Sequence, residues 1–220
     1  SGFRGAGPGF STRATLGDSD DPKIIWISPK FGGLQFGLSY MRDSNKGPDN
    51  VKTQTTTSAD AENHWTTAVK WTGKFGKAKV GAALGYLQAT VPIIGDEVTA
   101  IVAGMTIENG PLKLSWGLHK QDNPWGGVWS SDGISYEAGL RYTAGAQKFS
   151  IAAFHGEAKN TATVSANDES DTLMLAHTYA VGPGVTWRNA FSCTSWDGEG
   201  TGVTEDGSGC GAHTGVKVSF

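Results

Sequence analysis

The stretch that decides the fold is Leu34-Gln35-Phe36-Gly37-Leu38-Ser39-Tyr40. Large apolar or aromatic side chains stand at every second position, and Gln, Gly and Ser fill the positions between them. Successive side chains of a β-strand point to opposite faces of the sheet. A helix would instead need apolar residues three and four positions apart. The stretch therefore predicts a strand with one apolar face and one polar face.

The same alternation recurs along the chain and predicts about eleven strands. Their predicted bounds are 22–31, 34–43, 64–75, 78–91, 97–110, 112–123, 134–145, 147–161, 169–182, 185–196 and 211–220. Several are near 10 residues long, which is what a tilted strand needs to cross a bilayer. In segment 97–110 the pattern does not decide which face is apolar, because Val98 and Ala100 have one parity and Ile101 and Met105 have the other.

The predicted connections alternate between short and long. Short turns are expected at 30–34, 73–78, 109–112, 144–148 and 181–185. Long polar segments lie at 44–63, 121–133, 160–168 and 197–211. Outer-membrane barrels show this asymmetry, with short periplasmic turns and long extracellular loops. An antiparallel barrel needs an even number of strands, so we expect either a twelfth strand at 5–16 or, preferably, further strands before residue 1.

Composition supports short strands over helices. The chain has 220 residues with 38% hydrophobic residues, but 32 Gly, 8 Trp, 9 Phe and 5 Tyr. No apolar run approaches the roughly 18 residues of a membrane-spanning helix. The net charge of −3 gives no electrostatic case for nucleic acid as a partner, which would require a clustered basic face.

Three local motifs resemble those of the Gram-negative general diffusion porins, particularly the alphaproteobacterial type. They are the strand, Gly-pair turn and returning strand in 21–40, the turn Tyr179-Ala180-Val181-Gly182-Pro183-Gly184-Val185, and the terminal Phe220. The resemblance implies a transmembrane antiparallel β-barrel of sixteen strands, of which this chain would be the C-terminal two-thirds. Residues 1–220 would form a single barrel domain, with 1–21 as the later half of a constriction loop and 22–220 as strands and loops.

The resemblance also implies a function and partners. It implies a water-filled pore in the bacterial outer membrane for passive diffusion of small hydrophilic solutes and ions, without enzymatic activity or a cofactor. The implied partners are outer-membrane lipid, lipopolysaccharide and two further copies in a homotrimer. One alternative is a secreted or surface all-β binding module without a channel. Another is an outer-membrane hydrolase using His119 or His213, although no Gly-x-Ser-x-Gly elbow stands in the required context.

Charged residues on the polar parity are the candidates for the pore lining. The basic ones are Lys70, Lys79, Lys113, Arg141, Lys148, Arg188 and Lys217, with Glu137 as a single acid. Lysine costs roughly 2–4 kcal/mol at the midplane of a lipid-facing surface but little in a water-filled lumen, where it favours anions. The segment 1–21 adds the constriction candidates Arg4, Arg13, Asp18, Asp20 and Asp21. A solvated turn is the alternative for the aspartates.

Aromatic residues on the apolar parity are candidates for girdles at the membrane interfaces. They are Trp71, Tyr86, Trp116, Tyr136, Tyr142, Tyr179 and Trp187. An amphipathic ring is favoured at that depth. The alternative is that these rings fill the core of a soluble β-sandwich. The opposite faces, rich in Gly, Ser, Thr and Lys, could not build such a core.

The last predicted loop carries two further candidate sites. Cys193 and Cys210 lie 17 positions apart around a polar segment, so we expect a disulfide that staples the loop, with two free thiols as the alternative. The acids Asp197, Glu199, Glu205 and Asp206 offer oxygen ligands of the kind that Ca²⁺ takes. Their spacing is not that of an EF-hand, and ordinary solvated loop residues are the favoured alternative.

Overall fold

The computed structural model describes residues 23–43, 62–91, 96–122, 132–159, 167–198 and 206–219. They form one antiparallel sheet in which every strand pairs with its neighbours in the sequence. The strands are β1 (Lys23–Ile27), β2 (Leu34–Asp43), β3 (Glu62–Phe75), β4 (Ala78–Val91), β5 (Asp96–Asn109), β6 (Leu112–Asp122), β7 (Gly133–Ala144), β8 (Gln147–Lys159), β9 (Asn167–Gly182), β10 (Val185–Asp197) and β11 (Gly207–Val218). None of the described residues belongs to a helix long and apolar enough to cross a membrane.

Two predicted bounds are wrong by four residues. Strand β1 ends at Ile27 and not at 31, because Pro29 has no N–H to give to the ladder. The Ser28 hydroxyl instead accepts a hydrogen bond from the Phe36 N–H at 2.9 Å. Strand β11 begins at Gly207 and not at 211, because its pairing with β10 continues as far as Trp196 opposite Gly207. The other bounds agree with the prediction to within two residues.

The short turns lie at one end of the sheet, and each contains a glycine with positive φ. Gly33 shows why the residue is needed. Its φ is 89°, and a Cβ at this position would collide with the main-chain oxygen of Thr72 in the neighbouring strand. The Gly33 carbonyl accepts a hydrogen bond from the Thr72 N–H at 2.9 Å, so the turn itself is paired to β3. Glycine therefore permits both the turn and the close approach of the next strand.

The two faces of the sheet differ in exposure as well as in chemistry. Along β6 and β7 the apolar side chains are exposed, with Leu114 at 45%, Trp116 at 42% and Leu140 at 42%, whereas their polar neighbours are less exposed. In a single curved layer, side chains on the concave side crowd together and shield one another. The polar face is therefore the concave face, and the apolar face is convex.

Strand register joins the apolar side chains into one continuous line across eight strands, which we call the apolar row. Its members, each opposite the next, are Val80, Ile107, Leu114, Leu140, Ile151, Leu175, Phe191 and Ala212. Of these, Leu114, Leu140, Ile151, Leu175 and Phe191 are between 42% and 47% exposed. A strip of this kind on the surface of the sheet calls for an apolar environment.

The register also settles which face of β5 is apolar. Ile101 and Met105 lie on the convex face, at 40% and 39% exposure. Val98 and Ala100 lie on the concave face, opposite Ala89 and Leu87, and are buried. Toward the end of the long connections the concave face is therefore buried, and it mixes apolar side chains such as Met41 and Phe154 with polar ones such as His119 and Gln121.

Candidate pore wall

The register places all the described pore-lining candidates on the concave, polar face. These are Lys70, Lys79, Lys113, Glu137, Arg141, Lys148, Arg188 and Lys217. The other five candidates, Arg4, Arg13, Asp18, Asp20 and Asp21, lie outside the described residues. The predicted opposition of basic and acidic rows across the pore therefore rests on sequence alone for its acidic side.

Five charged side chains on the concave face are consecutive cross-strand neighbours on β3 to β7, and we call them the charged row. In order they are Lys74, Lys79, Glu108, Lys113 and Arg141. Directly opposite residues have Cβ atoms roughly 4.5–5.5 Å apart. Lys79 Nζ lies 3.8 Å from Glu108 Oε1, with the lysine side chain 68% exposed. Such an exposed pair contributes little stability, so the row acts mainly through its charge.

Sequence reasoning missed Lys74 and Glu108. Lys74 has the same parity as Lys70 in β3, so continuing the alternation by four residues would have found it. Glu108 is in β5, where apolar residues stand on both faces and the parity is ambiguous. Only its register opposite Lys79 and Lys113 places the carboxylate between two lysines.

Of the remaining basic candidates, Lys70 of β3 stands opposite Gln35 and Ala83, and the other three lie beyond the charged row. Lys148 and Arg188 flank Thr178 from the two neighbouring strands. Lys217 stands opposite Thr186 in the last strand pair. Cations thus line the concave face from β3 to β11, toward the end of the short turns. The positive potential of these side chains attracts anions from the water on the concave side of the sheet.

The two cysteines form the expected disulfide, with Sγ atoms 2.04 Å apart, and it lies further inside the strand pair than predicted. They are directly opposite each other in paired strands, with Cα atoms 4.0 Å apart, on the convex face next to Leu173. The bond therefore joins β10 to β11 within the ladder and not at the base of a loop. Sequence placed Cys210 in a loop because the residues around it are mostly Gly, Ser and Thr.

The suggested calcium ligands come together only in part. Asp206 accepts a hydrogen bond from the Gly198 N–H at 3.3 Å, close to the end of β10 at Asp197. Glu199 and Glu205 lie outside the described residues. Within the described ranges, no three His, Cys, Asp or Glu side chains are grouped as a metal site would need.

The two histidines considered for hydrolysis are far apart in the sheet. His119 is buried in β6, whereas His213 is exposed in β11, five strands away. Adjacent strands are spaced by about 4.8 Å, so the two side chains do not share a site. This arrangement gives no support to a hydrolase built on the pair.

The girdle candidates all lie on the convex face. Six of the seven rings are between 37% and 46% exposed; these are Tyr86, Trp116, Tyr136, Tyr142, Tyr179 and Trp187. In the part of the chain that is described there is one sheet, with no second sheet packed on its apolar face. The alternative of a sandwich core is therefore wrong, and the rings are available to a surrounding solvent such as lipid.

Comparison with solved structures shows the same architecture in outer-membrane proteins. An anion-selective porin from Comamonas acidovorans is 16% identical with a TM-score of 0.61, covering 90% of this chain and 58% of that one. The outer membrane channel DcaP of Acinetobacter baumannii is 12% identical with a TM-score of 0.64, covering 95% and 65%. A loop-deletion mutant of OmpT, an outer membrane protein of Vibrio cholerae, is 14% identical with a TM-score of 0.59, covering 93% and 65%.

These likenesses establish the fold, and the chain spans between 58% and 65% of the length of these three structures. No curated protein sequence matches the chain. The sequence profile of the family described as Gram-negative porin matches residues 1–192, which is most of the chain. The two-faced sheet, its convex apolar row and its basic concave face agree with that match, and the chain belongs to the Gram-negative porin family.

Proposed function

We propose that the protein forms a water-filled pore for passive diffusion of small hydrophilic solutes and ions, and that it acts as a channel and not as an enzyme. The observation that carries the proposal is the apolar row on one face of β4 to β7 and the charged row on the other face of the same strands. Hydrocarbon can accommodate the first and water the second. The matched family and the similar structures, named as porins and channels, support this assignment.

The family places the protein in the outer membrane of a Gram-negative bacterium. We propose that the eleven strands are part of a sixteen-stranded barrel. The support is that, among the described strands, β1 and β11 each pair on one side only, which leaves sheet edges that a membrane does not tolerate. We further propose that residues 1–21 fold as a constriction-loop segment, where Asp18, Asp20 and Asp21 face the basic wall.

Planar lipid bilayers test the channel directly. The native protein, purified from outer membranes, is expected to insert in discrete conductance steps with a linear current–voltage relation at low potential. Pore diameter decides which solutes enter such a passive pore, so uncharged polymers small enough to enter should lower its conductance, whereas larger ones should not. Absence of conductance steps, together with recovery of the protein in the aqueous phase without detergent, would favour the binding module instead.

The convex face becomes polar toward the end of the long connections, where we propose that it meets lipopolysaccharide headgroups. Lys120 Nζ lies 3.2 Å from Asp122 Oδ1. The His155 ring is held between Asp171 at 2.8 Å and Glu157 at 3.0 Å. Both groups lie beyond the apolar part of the convex face, toward the end of the long connections. A change from apolar to charged side chains is expected where a barrel leaves the hydrocarbon for the headgroup layer.

A second polar feature of the convex face lies within its apolar part, and it supports the proposed homotrimer. The Trp187 Nε1–H donates a hydrogen bond to Thr214 Oγ1 at 2.7 Å. The Thr214 hydroxyl in turn donates to Asn189 Oδ1 at 2.7 Å. Asn189 Nδ2 lies 3.3 Å from His177 Nδ1, and His177 Nε2 lies 3.2 Å from Gln147 Oε1. We call this chain the polar network.

Polar side chains facing hydrocarbon are costly, so a covering protein surface is favoured over lipid at this place. The polar network borders a depression of about 730 Å³ that Leu140, Phe149 and Phe191 help to line. We propose that the neighbouring copy in the trimer fills this depression. OmpT of Vibrio cholerae, at a TM-score of 0.54, is described in a trimer form.

Asn189→Leu is expected to weaken the trimer, because the His177 and Thr214 side chains lose their shared partner. An unpaired buried polar group costs about 1–3 kcal/mol. Native mass measurement in mild detergent, followed through a temperature series, should show dissociation at lower temperature than for the wild type. Thr67→Leu removes a polar group from the convex face of β3 and is the matched control, for which no change is expected. If lipid covered the polar network instead, Asn189→Leu would leave dissociation unchanged or delay it.

A further inference from the structure

The five side chains of the charged row are four cations and one acid. Lys74 stands opposite Lys79, and Lys113 stands opposite Arg141. Like charges directly opposite each other destabilise a sheet. Among the described residues of the row, Glu108 is the one acid, and it lies 3.8 Å from Lys79. Glu108 also stands opposite Lys113, so its one carboxylate is shared between two lysines and the row keeps an excess of positive charge.

A cavity of about 420 Å³ opens at this part of the concave face, near the turns that end β3 and β5. The ammonium-bearing side chains of Lys74, Lys79 and Lys113 line it, and so does the carboxylate of Glu108. Thr72 and Thr106 add two hydroxyl groups, and Gly81 leaves its floor without a side chain. We call this cavity the basic pocket.

Arg141 is the next member of the charged row after Lys113. Its Nε atom is buried and has no hydrogen-bond partner within the described part of the chain. Arginine keeps its charge at all relevant pH values, so it adds positive potential to the adjacent wall. The pocket thus combines an excess of cations, neutral hydroxyl donors and room for more than a water molecule.

We propose that the basic pocket is a subsite for a small oxyanion of the phosphate class on the wall of the pore. Ammonium and hydroxyl groups donate hydrogen bonds to oxyanion oxygens, and charge assistance makes these bonds strong. Binding is weak and rapidly reversible, because Lys79 is 68% exposed and screened by water. Such binding suits a diffusion path, where a solute must be attracted and then released. The assignment rests on the proposed function only in requiring that water reaches the concave face.

Equilibrium dialysis of radiolabelled inorganic phosphate against the native protein in mild detergent, at an ionic strength of about 0.15 M, tests the subsite without requiring conductance. Lys113→Gln is expected to weaken phosphate binding about tenfold, because one unit charge at contact distance is lost. Glu108→Gln is expected to strengthen it about fivefold, because a repelling carboxylate is removed. Opposite effects of the two variants cannot arise from general misfolding.

Lys77→Gln is the matched control, because Lys77 lies in the turn between β3 and β4 but does not line the basic pocket. At 0.15 M salt its charge is screened over about 8 Å, so its removal should change phosphate affinity less than about twofold. The proposal is overturned if wild-type protein binds no phosphate, if Lys113→Gln and Lys77→Gln behave alike, or if Glu108→Gln weakens binding.

Bilayer recordings of the same preparations separate this proposal from the channel itself. Conductance steps without phosphate binding overturn the subsite and leave the channel standing. Phosphate binding without conductance steps overturns the channel and leaves the subsite standing. With both in place, phosphate should reduce the chloride current of the wild type at concentrations about tenfold lower than those needed for Lys113→Gln.

Discussion

Leu140→Lys is expected to lower the free energy of unfolding in a lipid bilayer by about 2–4 kcal/mol. Leu140 lies in the middle of the apolar row, between Leu114 and Ile151, and is 42% exposed on the convex face. An ammonium group there would face hydrocarbon and lose its hydration. Urea titration of folding into phospholipid vesicles, followed by tryptophan fluorescence and by the heat-dependent shift on gels, measures the difference.

Ser115→Lys is the matched control on the other face. Ser115 stands opposite Gly139 on the concave face, and its hydroxyl donates to the Gly139 carbonyl at 3.3 Å. A lysine here would point into water, so a change of about 0.5 kcal/mol or less is expected. Equal costs at the two sites would contradict the division into a lipid face and a water face. If Ser115→Lys lowered the free energy of unfolding and Leu140→Lys did not, the lipid face and the water face would be the reverse of those assigned.

Removal of the disulfide should have the second large effect. The variant in which both Cys193→Ala and Cys210→Ala are made is expected to unfold with a free energy lower by about 3 kcal/mol, the value for a closed loop of roughly 15 residues. The two cysteines are 17 residues apart, so the bond restricts mainly the unfolded chain. Strand β11 should be destabilised more than the other strands, because within the described sheet it pairs with β10 alone.

The same urea titration measures this effect, with and without a reducing agent. Reduction of the wild type should reproduce the loss seen in the double variant, whereas the double variant itself should not respond to the reducing agent. A wild type that unfolds at the same urea concentration in both conditions would show that pairing of β10 with β11 persists in the unfolded state and that the bond adds nothing.

Local alternation was sufficient to predict the strands and their two faces. The period-2 pattern placed Leu114, Trp116 and Leu140 on one face and Lys113 and Arg141 on the other, as the structure has them. The bounds of nine strands follow from the same pattern to within two residues. The positions of the short turns could also be predicted, because glycines such as Gly33 adopt a positive φ that other residues rarely adopt.

The contacts between strands could not be predicted in the same way. Glu108 between Lys79 and Lys113, the basic pocket, and the link from His177 through Asn189 to Thr214 all depend on register. Segment 97–110 carries apolar residues on both faces, so its orientation needed the pairing of Val98 with Ala89. The start of β11 could not be predicted either, because the glycine and serine residues around Cys210 show no alternation. Pairing with β10 holds this part of the strand in place.

The sequence by itself determined the all-β architecture, the apolar and polar faces and the basic character of the polar one, because each is set within a strand by residues two positions apart. Only the tertiary structure decided which charges become neighbours, which polar groups cross the convex face and where the cysteines join. Register is a property of hydrogen bonding between strands, and a shift of one residue would move every one of those side chains to the other face.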